Sequence, residues 1–454
     1  MRRKRLILNT LFLAGLSSAC GPVAMEKPLV LPPDDPSGLS AVELVTAHTL
    51  GPLPAVPPDR TNKYADSPAA ATLGQMLFFD KSYSGALAVG DDGTNGGLGA
   101  VGDTGKVSCH SCHGVNNLPL DDQRSLPGNV SLGTDFGTRN ALGLTNSSFY
   151  VWTNWGGRFD SQWSLPLAVA ENARIMKSTR LDVVHLLWNK YRTEYNAAFE
   201  TPLDAALDPQ AVDASRFPAS GKPKAAATDP DGAWEMMAPT DRGIANTIYV
   251  NYGKALQAYM RKLVSGNSAF DRWLGGDAAA LGESAVRGLR LYIGKAGCVG
   301  CHFGTSLTDN DFHVIGVPQT GAHVPATDLG RYQDVPPLLA SPFNTEGAFS
   351  DDRSTGRLSG LAQANSQRGA FRTKGLRNVA NSGPYMHSGQ LVTLAEVVAF
   401  YNAGGGDVSQ SGLVKDARMK PLNLSQSEQS DLVEFLKSLT GEALPAAVLT
   451  DTSK

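Results

Sequence analysis

Apolar residues recur at helical spacing in several stretches of this chain. Two such stripes are Ile248, Tyr252, Ala255, Leu256, Tyr259 and Leu263, and Ala285, Leu289, Tyr292 and Ile293. A third stripe consists of Leu432, Phe435, Leu436 and Leu439. Ser425 and Glu428 can form a capping box before this last stripe, and Gly441 follows it, which is typical of a complete helix. Alternating strand patterns are sparse, so the sequence predicts a mainly α protein.

Long irregular segments separate these predicted helices. The chain has 454 residues, of which 48 are glycine and 27 proline. Residues 84–106 form a glycine-rich insertion, and residues 202–239, rich in Ala, Asp and Pro, resemble a surface excursion. Residues 21–64 form a proline-rich lead-in that we expect to act as a tether.

The first twenty residues are typical of an export signal. Basic residues 2–5 precede an apolar run, 6–16, that is too short to span a membrane. Cys20 resembles the lipidated cysteine of bacterial lipoproteins, although Ser17 stands where such signals usually have a large aliphatic residue. The alternative is an ordinary cleaved signal that takes Cys20 with it. We predict a periplasmic or cell-envelope protein whose membrane contact, if any, is a lipid at Cys20.

The charge of the chain does not favour nucleic acid as a partner. The formal net charge is −3, and it becomes −7 without the first twenty residues, which carry four basic and no acidic side chains. A nucleic-acid binder would need a basic face, and none is apparent.

Four of the five cysteines form two identical patterns. Cys109 and Cys112 are followed by His113, and Cys298 and Cys301 are followed by His302. The pattern Cys-x-x-Cys-His is the attachment signature of c-type haem. Two thiols reach the two vinyl groups of one porphyrin, and the adjacent histidine binds the iron. The sequence therefore predicts two covalently bound haem c groups.

Three other chemistries use paired cysteines. A four-cysteine zinc site usually has its two pairs about 15 to 20 residues apart, and these pairs are far more distant. A redox dithiol would have a thioredoxin-like context, which is missing. Structural disulfides are compatible with an exported protein. None of the three explains a histidine after both pairs.

A weak internal repeat supports two haem domains. Leu73-Gly74 lies in an apolar segment before the first motif, and Gly288-Leu289 lies in one before the second. Helix, haem motif, loops and final helix are the order expected of a small cytochrome c domain. We predict a signal peptide at 1–20, the lead-in at 21–64, a first cytochrome c-like domain at 65–275 and a second at 276–445.

Several strings outside the haem motifs resemble the di-haem cytochrome c peroxidase/MauG family over most of residues 65–445. These strings are Leu73-Gly74-Gln75 with residues 77–80, Trp155-Gly156-Gly157-Arg158, residues 265–272, Leu376-Arg377-Asn378-Val379, and Pro384-Tyr385-Met386-His387-Ser388-Gly389 with residues 396–402.

The resemblance implies a division of labour between the two haems. The haem on His113 would be the high-spin site where hydrogen peroxide reacts, and the haem on His302 would be six-coordinate and transfer electrons. Trp155 would relay charge between them, and Arg158, at the end of the same string, would contact a haem.

The resemblance also implies further ligands. A calcium ion would lie between the domains, bound by Asn140 and by the backbone carbonyls of Ser382 and Pro384. Tyr401 occupies the position of the second axial ligand of the His302 haem, where the peroxidase branch has methionine and MauG-like proteins have tyrosine. A phenolate oxygen favours oxidised iron more than a thioether does. The alternative is that Tyr401 packs in a helix and that Met386 or Met419 binds the iron.

Two features of the first site depart from the peroxidase pattern. No histidine occurs between His113 and His185, so the distal histidine of many bacterial peroxidases is missing. Ile175 stands where the family has a distal glutamate, which moves a proton during cleavage of the peroxide O–O bond. Glu171, about one helical turn earlier, could replace it, or could face solvent.

We therefore expect an exported di-haem oxidoreductase that reacts with hydrogen peroxide and passes oxidising equivalents to a redox protein donor or a protein substrate. The alternatives are a non-catalytic di-haem electron carrier, which two low-spin haems would indicate, and a lipid-tethered binding module with vestigial haems.

Overall fold

The computed structural model describes residues 38–93, 97–114, 128–409 and 412–454. The predicted signal peptide, Cys20 and residues 21–37 of the lead-in lie outside this part of the chain. The helices are α1 (Ala41–Thr49), α2 (Pro68–Phe79), α3 (Cys109–Cys112), α4 (Ser164–Glu171), α5 (Arg180–Ala198), α6 (Ala233–Met236), α7 (Pro239–Met260), α8 (Ala269–Leu274), α9 (Glu283–Ile293), α10 (Arg331–Ala340), α11 (Leu394–Asn402), α12 (Gln426–Ser438) and α13 (Ala446–Leu449).

Extended structure is minor in the described ranges. Two short strands, β1 (Phe312–His313) and β2 (Phe371–Arg372), pair antiparallel with Phe312 opposite Arg372. The prediction of a mainly α protein is therefore confirmed. No helix of the described segments has both the length and the apolar character that crossing a bilayer requires.

The helices that flank each haem motif cross at a glycine. α2 packs against α7, and a Cβ added at Gly74 would overlap the carbonyl oxygen of Ala255. α9 packs in the same way against α12, where a Cβ at Gly288 would overlap the carbonyl oxygen of Asp431. The repeat noted in the sequence thus corresponds to two similar helix crossings, each between a helix before a haem motif and a helix after it.

The predicted capping box of the last long helix is present. Ser425 Oγ accepts a hydrogen bond from the Glu428 amide at 3.3 Å, and the Glu428 carboxylate accepts one from the Ser425 amide at 2.7 Å. The reciprocal bonds satisfy two amides that the start of a helix leaves unpaired.

Buried apolar side chains form two separate clusters. The first cluster draws on α2, α4, α5 and α7. The second draws on α1, α9, α11 and α12. Each cluster surrounds one of the two helix crossings, and each haem motif lies beside its own cluster.

Two segments expected to be loose are instead packed. Within the lead-in, α1 begins at a capping box of Ser40 and Glu43, and Leu44 and Ala47 are buried in the second cluster. The described part of the lead-in is therefore not a free tether, because its apolar spacing suits a helix against α9. The 202–239 segment is not a simple surface excursion either, since it buries apolar side chains in the first cluster. These are Leu203, Ala206, Leu207, Phe217, Trp234 and Met237.

Candidate functional site

The first cysteine motif forms one short helical turn. α3 carries Cys109 and Cys112, and the amide of His113 donates to the carbonyl of Cys109 at 2.9 Å. Burial lowers the pKa of His113 to about 4 and raises the pKa of the Cys109 thiol to about 12. His113 is therefore a neutral imidazole at physiological pH, the form that binds a metal. Residues 115–127, which follow, lie outside the described chain.

The second motif presents its histidine in one defined orientation. Residues Cys298–Gly300 form a 3₁₀ turn, and the His302 amide donates to the Cys298 carbonyl at 2.9 Å. His302 Nδ1 lies 3.0 Å from the carbonyl oxygen of Leu307, so Nδ1 carries the proton. Burial also lowers the pKa of His302. Nε2 is left with a lone pair, and a backbone carbonyl behind Nδ1 is the usual support of a metal-binding histidine.

A cavity of about 350 Å³ lies beside this motif. Cys298, Cys301 and His302 line it, as do all three candidates for the second axial ligand, Tyr401, Met386 and Met419. Tyr401 is on α11, and burial raises the pKa of its phenol. The residues around the cavity fit a covalently attached haem, with two thiols and a neutral imidazole on its wall. Tyr401 therefore lies in the lining of this cavity. That Tyr401, and not Met386 or Met419, is the second axial ligand stays a prediction.

The other cysteine chemistries do not match the described residues. None of the four motif cysteines is in a disulfide bond there. The two pairs also do not meet, since the one group in the described ranges with metal-ligand spacing is Cys301, Asp309 and His313. Both ring nitrogens of His313 are already bonded, to Asp309 at 2.9 Å and to Asp416 at 2.8 Å.

Trp155 lines the same cavity in a fixed orientation. Its indole Nε1 donates to the carbonyl oxygen of Asn140 at 2.7 Å. Buried Arg331 donates to the carbonyls of Gly156 at 3.2 Å and Gly157 at 2.5 Å, which holds the following turn. Arg158, in contrast, is exposed and does not line this cavity. Its predicted haem contact therefore has no support from this cavity and stays a prediction.

The residues predicted to bind calcium lie together, but the Asn140 side chain directs its nitrogen, and not its oxygen, towards Pro384. Asn140 Nδ2 donates a hydrogen bond to the carbonyl oxygen of Pro384 at 2.8 Å, and Ser382 lines the cavity nearby. Calcium needs oxygen ligands. The side chain of Asn140 would have to rotate so that its oxygen, rather than its nitrogen, faces Pro384.

Glu171 is engaged in an ion pair at the end of α4. Its two oxygens accept from Arg180 Nε at 3.1 Å and Nη2 at 3.2 Å. The Arg180 guanidinium also lies 5.0 Å from the ring centroids of Trp234 and Tyr249. The carboxylate therefore ties α4 to α5 and does not face solvent freely. Ile175 packs, partly buried, against the first cluster.

The structure adds cationic residues that sequence reasoning missed. Arg372 and Lys374 line the large cavity and also a smaller one next to it, together with Tyr150. His387 is buried and stacks on Phe371 with ring centroids 3.6 Å apart. Arg372 and Lys374 immediately precede the string 376–379, but only tertiary structure shows that they face a cavity.

Known proteins resemble the chain at the level of sequence. A family model described as di-haem cytochrome c peroxidase matches residues 68–279. Cytochrome-c peroxidase IdrP1 from Denitromonas iodatirespirans is 32% identical over 404 residues, which cover 86% of this chain and 86% of that protein. Methylamine utilization protein MauG from Methylorubrum extorquens is 37% identical over 194 residues, which cover 43% of this chain and 44% of MauG.

Solved structures share the fold. A MauG-like protein associated with microbial copper homeostasis superposes with a TM-score of 0.57 at 24% identity, over 88% of this chain and 98% of that one. The diheme peroxidase BthA from Burkholderia thailandensis gives a TM-score of 0.57 at 19% identity over the same shares. Because one relative is 32% identical across most of both chains, and both attachment motifs are present, the chain belongs to the di-haem cytochrome c peroxidase/MauG family, which implies two haem c groups, and it is a peroxidase-like oxidoreductase.

Proposed function

We propose that the chain is an exported enzyme that reacts with hydrogen peroxide at the His113 site and exchanges electrons with a protein partner through the His302 site. Haem c bound at each motif supplies iron that reduces peroxide and carries electrons. The observation that carries the proposal is the arrangement of the second site, where Cys298, Cys301 and a neutral His302 share one cavity with Trp155.

The proposed architecture assigns residues 65–275 and 276–445 to two cytochrome c-like domains. The two helix crossings at Gly74 and Gly288 and the two separate apolar clusters support this division. Residues 1–20 act as the export signal to the periplasm, and Cys20 is the point of a lipid anchor.

Trp155 is the proposed relay between the two sites. Its ring orientation is set by the bond to the Asn140 carbonyl, and the Asn140 side chain bonds in turn to Pro384 of the second domain. Calcium at Asn140, Ser382 and Pro384 would replace that hydrogen bond with oxygen–metal contacts. EGTA treatment of calcium-loaded protein should then lower its response to peroxide, and added calcium should restore it.

Tyr401 as axial ligand and the missing distal histidine favour the MauG-like branch, whose oxidising equivalents pass to a residue on a protein substrate. The Arg180 ion pair makes Glu171 a structural carboxylate in this proposal, so that proton movement at the first site is slow. That same feature favours a second candidate function, a di-haem electron carrier without peroxide chemistry.

The decisive experiment adds stoichiometric hydrogen peroxide to the haem-loaded protein and records absorbance and electron paramagnetic resonance spectra. We expect one high-spin and one low-spin ferric haem at rest, and a new oxidised spectrum after peroxide. Replacing Cys109 and Cys112 by alanine should abolish the response, whereas the same change at Cys298 and Cys301 should leave a peroxide reaction at the first site. Two low-spin haems without a response would establish the electron carrier instead.

A further inference from the structure

Arg372 is an exception among the buried arginines of the described chain. Its side chain is buried, with 3% of the residue exposed, yet its Nε and Nη1 atoms have no hydrogen-bond partner. Equally buried Arg377 donates to Asp271 at 2.6 Å and to the carbonyls of Thr305 and Leu50. Arg139 is likewise paired with Asp328 and Asp334, each at 2.7 Å.

The protein does not supply Arg372 with a counter-charge from its described residues. Burial lowers the pKa of Arg372 to about 10, so the guanidinium remains protonated at physiological pH. Its guanidinium carbon lies 4.5 Å from the ring centroid of Tyr150, which is a face contact and not an ion pair. A buried charge without a partner is strongly destabilising, as it is when one member of a buried salt bridge is removed. An anion bound at this point would remove that penalty.

The position of Arg372 indicates where that anion lies. Arg372 lines the large cavity that contains Cys298, Cys301 and His302. It also lines the smaller neighbouring cavity, which reaches Leu142 and Met260 of the first domain. Lys374, two residues further on, lines both cavities and lies with Nζ 5.5 Å from the Trp155 ring centroid. The cations are thus on the wall between the second haem site and the first domain.

We propose that Arg372 is a positioning residue that binds a haem propionate and sets the reduction potential of the His302 haem. A haem carries two carboxylates on the edge away from its thioether bonds. A guanidinium donates hydrogen bonds to carboxylates from both of its open edges, so one propionate could bond Nε of Arg372 and the second could bond Nη1. The inference rests on haem binding at the second motif, and it needs no peroxide chemistry.

A cation at this position affects iron in a defined direction. Positive charge next to a haem disfavours the ferric state, which carries one more positive charge than the ferrous state, and so raises the potential. The backbone of Arg372, in β2, is held in place because the Arg372 amide donates to the carbonyl of Trp155 at 2.8 Å. The same residue therefore links the backbone of the proposed relay to the haem carboxylate.

The test compares haem-loaded wild type with Arg372→Gln and Arg372→Lys, without peroxide. Spectroelectrochemistry gives the potential of each haem, and resonance Raman spectra report the propionate bending band. We expect Arg372→Gln to shift the His302 haem to a lower potential and to shift its propionate band. Arg372→Lys keeps the positive charge but lacks the planar guanidinium. Its His302 haem should therefore have nearly the wild-type potential, but its propionate band should still be shifted.

Controls separate this role from general damage. Mass spectrometry shows whether both haems remain attached in each variant. Arg368→Gln, on the same segment and stacked on Tyr332 rather than facing the cavity, should change neither reading. An unchanged potential and band in fully loaded Arg372→Gln would overturn the proposal.

A free anion is the other source of the same chemistry. If inorganic phosphate occupied Arg372, adding it to phosphate-free wild type would shift the potential, and the shift would disappear in Arg372→Gln. That result would overturn propionate binding. No Arg372-dependent effect of phosphate is expected if the propionate is already bound. A failure to react with peroxide would contradict the proposed function. The potentials and propionate bands of the Arg372 variants would still test propionate binding, because they are measured without peroxide.

Discussion

Position 175 bears directly on the rate of peroxide reduction. Ile175 provides no proton-transfer group, and its backbone carbonyl is already bonded to the Thr134 amide at 2.8 Å. A change of side chain therefore leaves that contact in place. We expect Ile175→Glu to accelerate the reaction with peroxide by about 100-fold, the usual contribution of a positioned acid–base group. Stopped-flow absorbance measures the rate, and Ile175→Gln, of equal size, should not accelerate it.

Glu171 offers the matching comparison on the neighbouring turn. Its carboxylate is bonded to Arg180, so Glu171→Gln should lower the free energy of unfolding by about 1–3 kcal/mol. The peroxide rate should stay unchanged. A large fall in that rate at unchanged stability would show that Glu171 is the proton-moving group after all.

Tyr401 is tested by its effect on the ferric spectrum. If its phenolate binds the iron, Tyr401→Phe should remove the phenolate charge-transfer absorption and change the low-spin g values. Tyr401→Met should raise the potential of the second haem, since a thioether stabilises ferrous iron. Met386→Leu and Met419→Leu, which alter the same cavity wall, should leave the ferric spectrum unchanged. A normal spectrum in Tyr401→Phe would assign the ligand to one of the methionines.

His387 should make the protein sensitive to acid. Burial lowers the pKa of His387 to about 3, from an ordinary value near 6.5. The folded state therefore keeps this ring neutral while the unfolded chain binds a proton. Its contribution to stability is complete above about pH 6.5 and is lost as the pH falls towards 3, by up to about 1.4 kcal/mol per unit. Urea unfolding measured between pH 4 and 7 should show that the free energy of unfolding changes less steeply with pH in His387→Gln than in the wild type. An equal pH dependence of the two proteins would contradict the lowered pKa of His387.

At the scale of elements, the two helix crossings depend on the missing side chains of Gly74 and Gly288. A methyl group there would overlap a backbone carbonyl of the partner helix, which cannot move aside cheaply. We expect Gly74→Ala and Gly288→Ala each to lower the free energy of unfolding by about 1–3 kcal/mol or more. Gly243→Ala on α7 meets no neighbour within 4 Å and should stabilise by up to about 1 kcal/mol. Equal stabilities of all three variants would refute the close crossings.

The elements also show what the sequence could and could not predict. α9 and α12 each bury one stripe, so spacing alone reveals them, whereas α7 is buried on all sides from Ile248 to Met260. α5 packs against both α2 and α7, and in its first two turns the buried residues are not confined to one stripe. These residues include Leu181, Val183, Val184, Leu186 and Leu187.

The same distinction holds for the site. Haem attachment is coded by five adjacent residues, and it can therefore be recognised locally. The role of Arg372 depends on burial without a partner, which is a property of tertiary structure alone.

At the scale of the molecule, two segments join the apolar clusters crosswise. The N-terminal segment begins with α1 in the second cluster and continues to the helices of the first cluster, where Arg261 at the end of α7 bonds to Asp66 and to the Pro57 carbonyl. The C-terminal tail, residues 442–454, leaves α12 and returns to the first cluster with Leu444. Each apolar cluster therefore includes chain that continues from the other, and we expect the two clusters to unfold together.

The tail provides the sharpest test of this coupling. Gln75 Nε2 donates to the carbonyls of Ala447 at 2.8 Å and Thr450 at 2.9 Å, and the Tyr259 hydroxyl donates to Val448 at 2.7 Å. Deleting residues 443–454 exposes this face of α2 and α7, and loss of the Leu444 side chain alone costs about 2 kcal/mol. Calorimetry should show the single transition split in two, with the helices of the first cluster melting earlier. Deleting only 451–454 keeps Leu444 and these three bonds, so this protein should preserve one transition. If both deletion proteins showed one transition, contacts such as the ion pair of Arg139 with Asp328 would couple the two clusters without the tail.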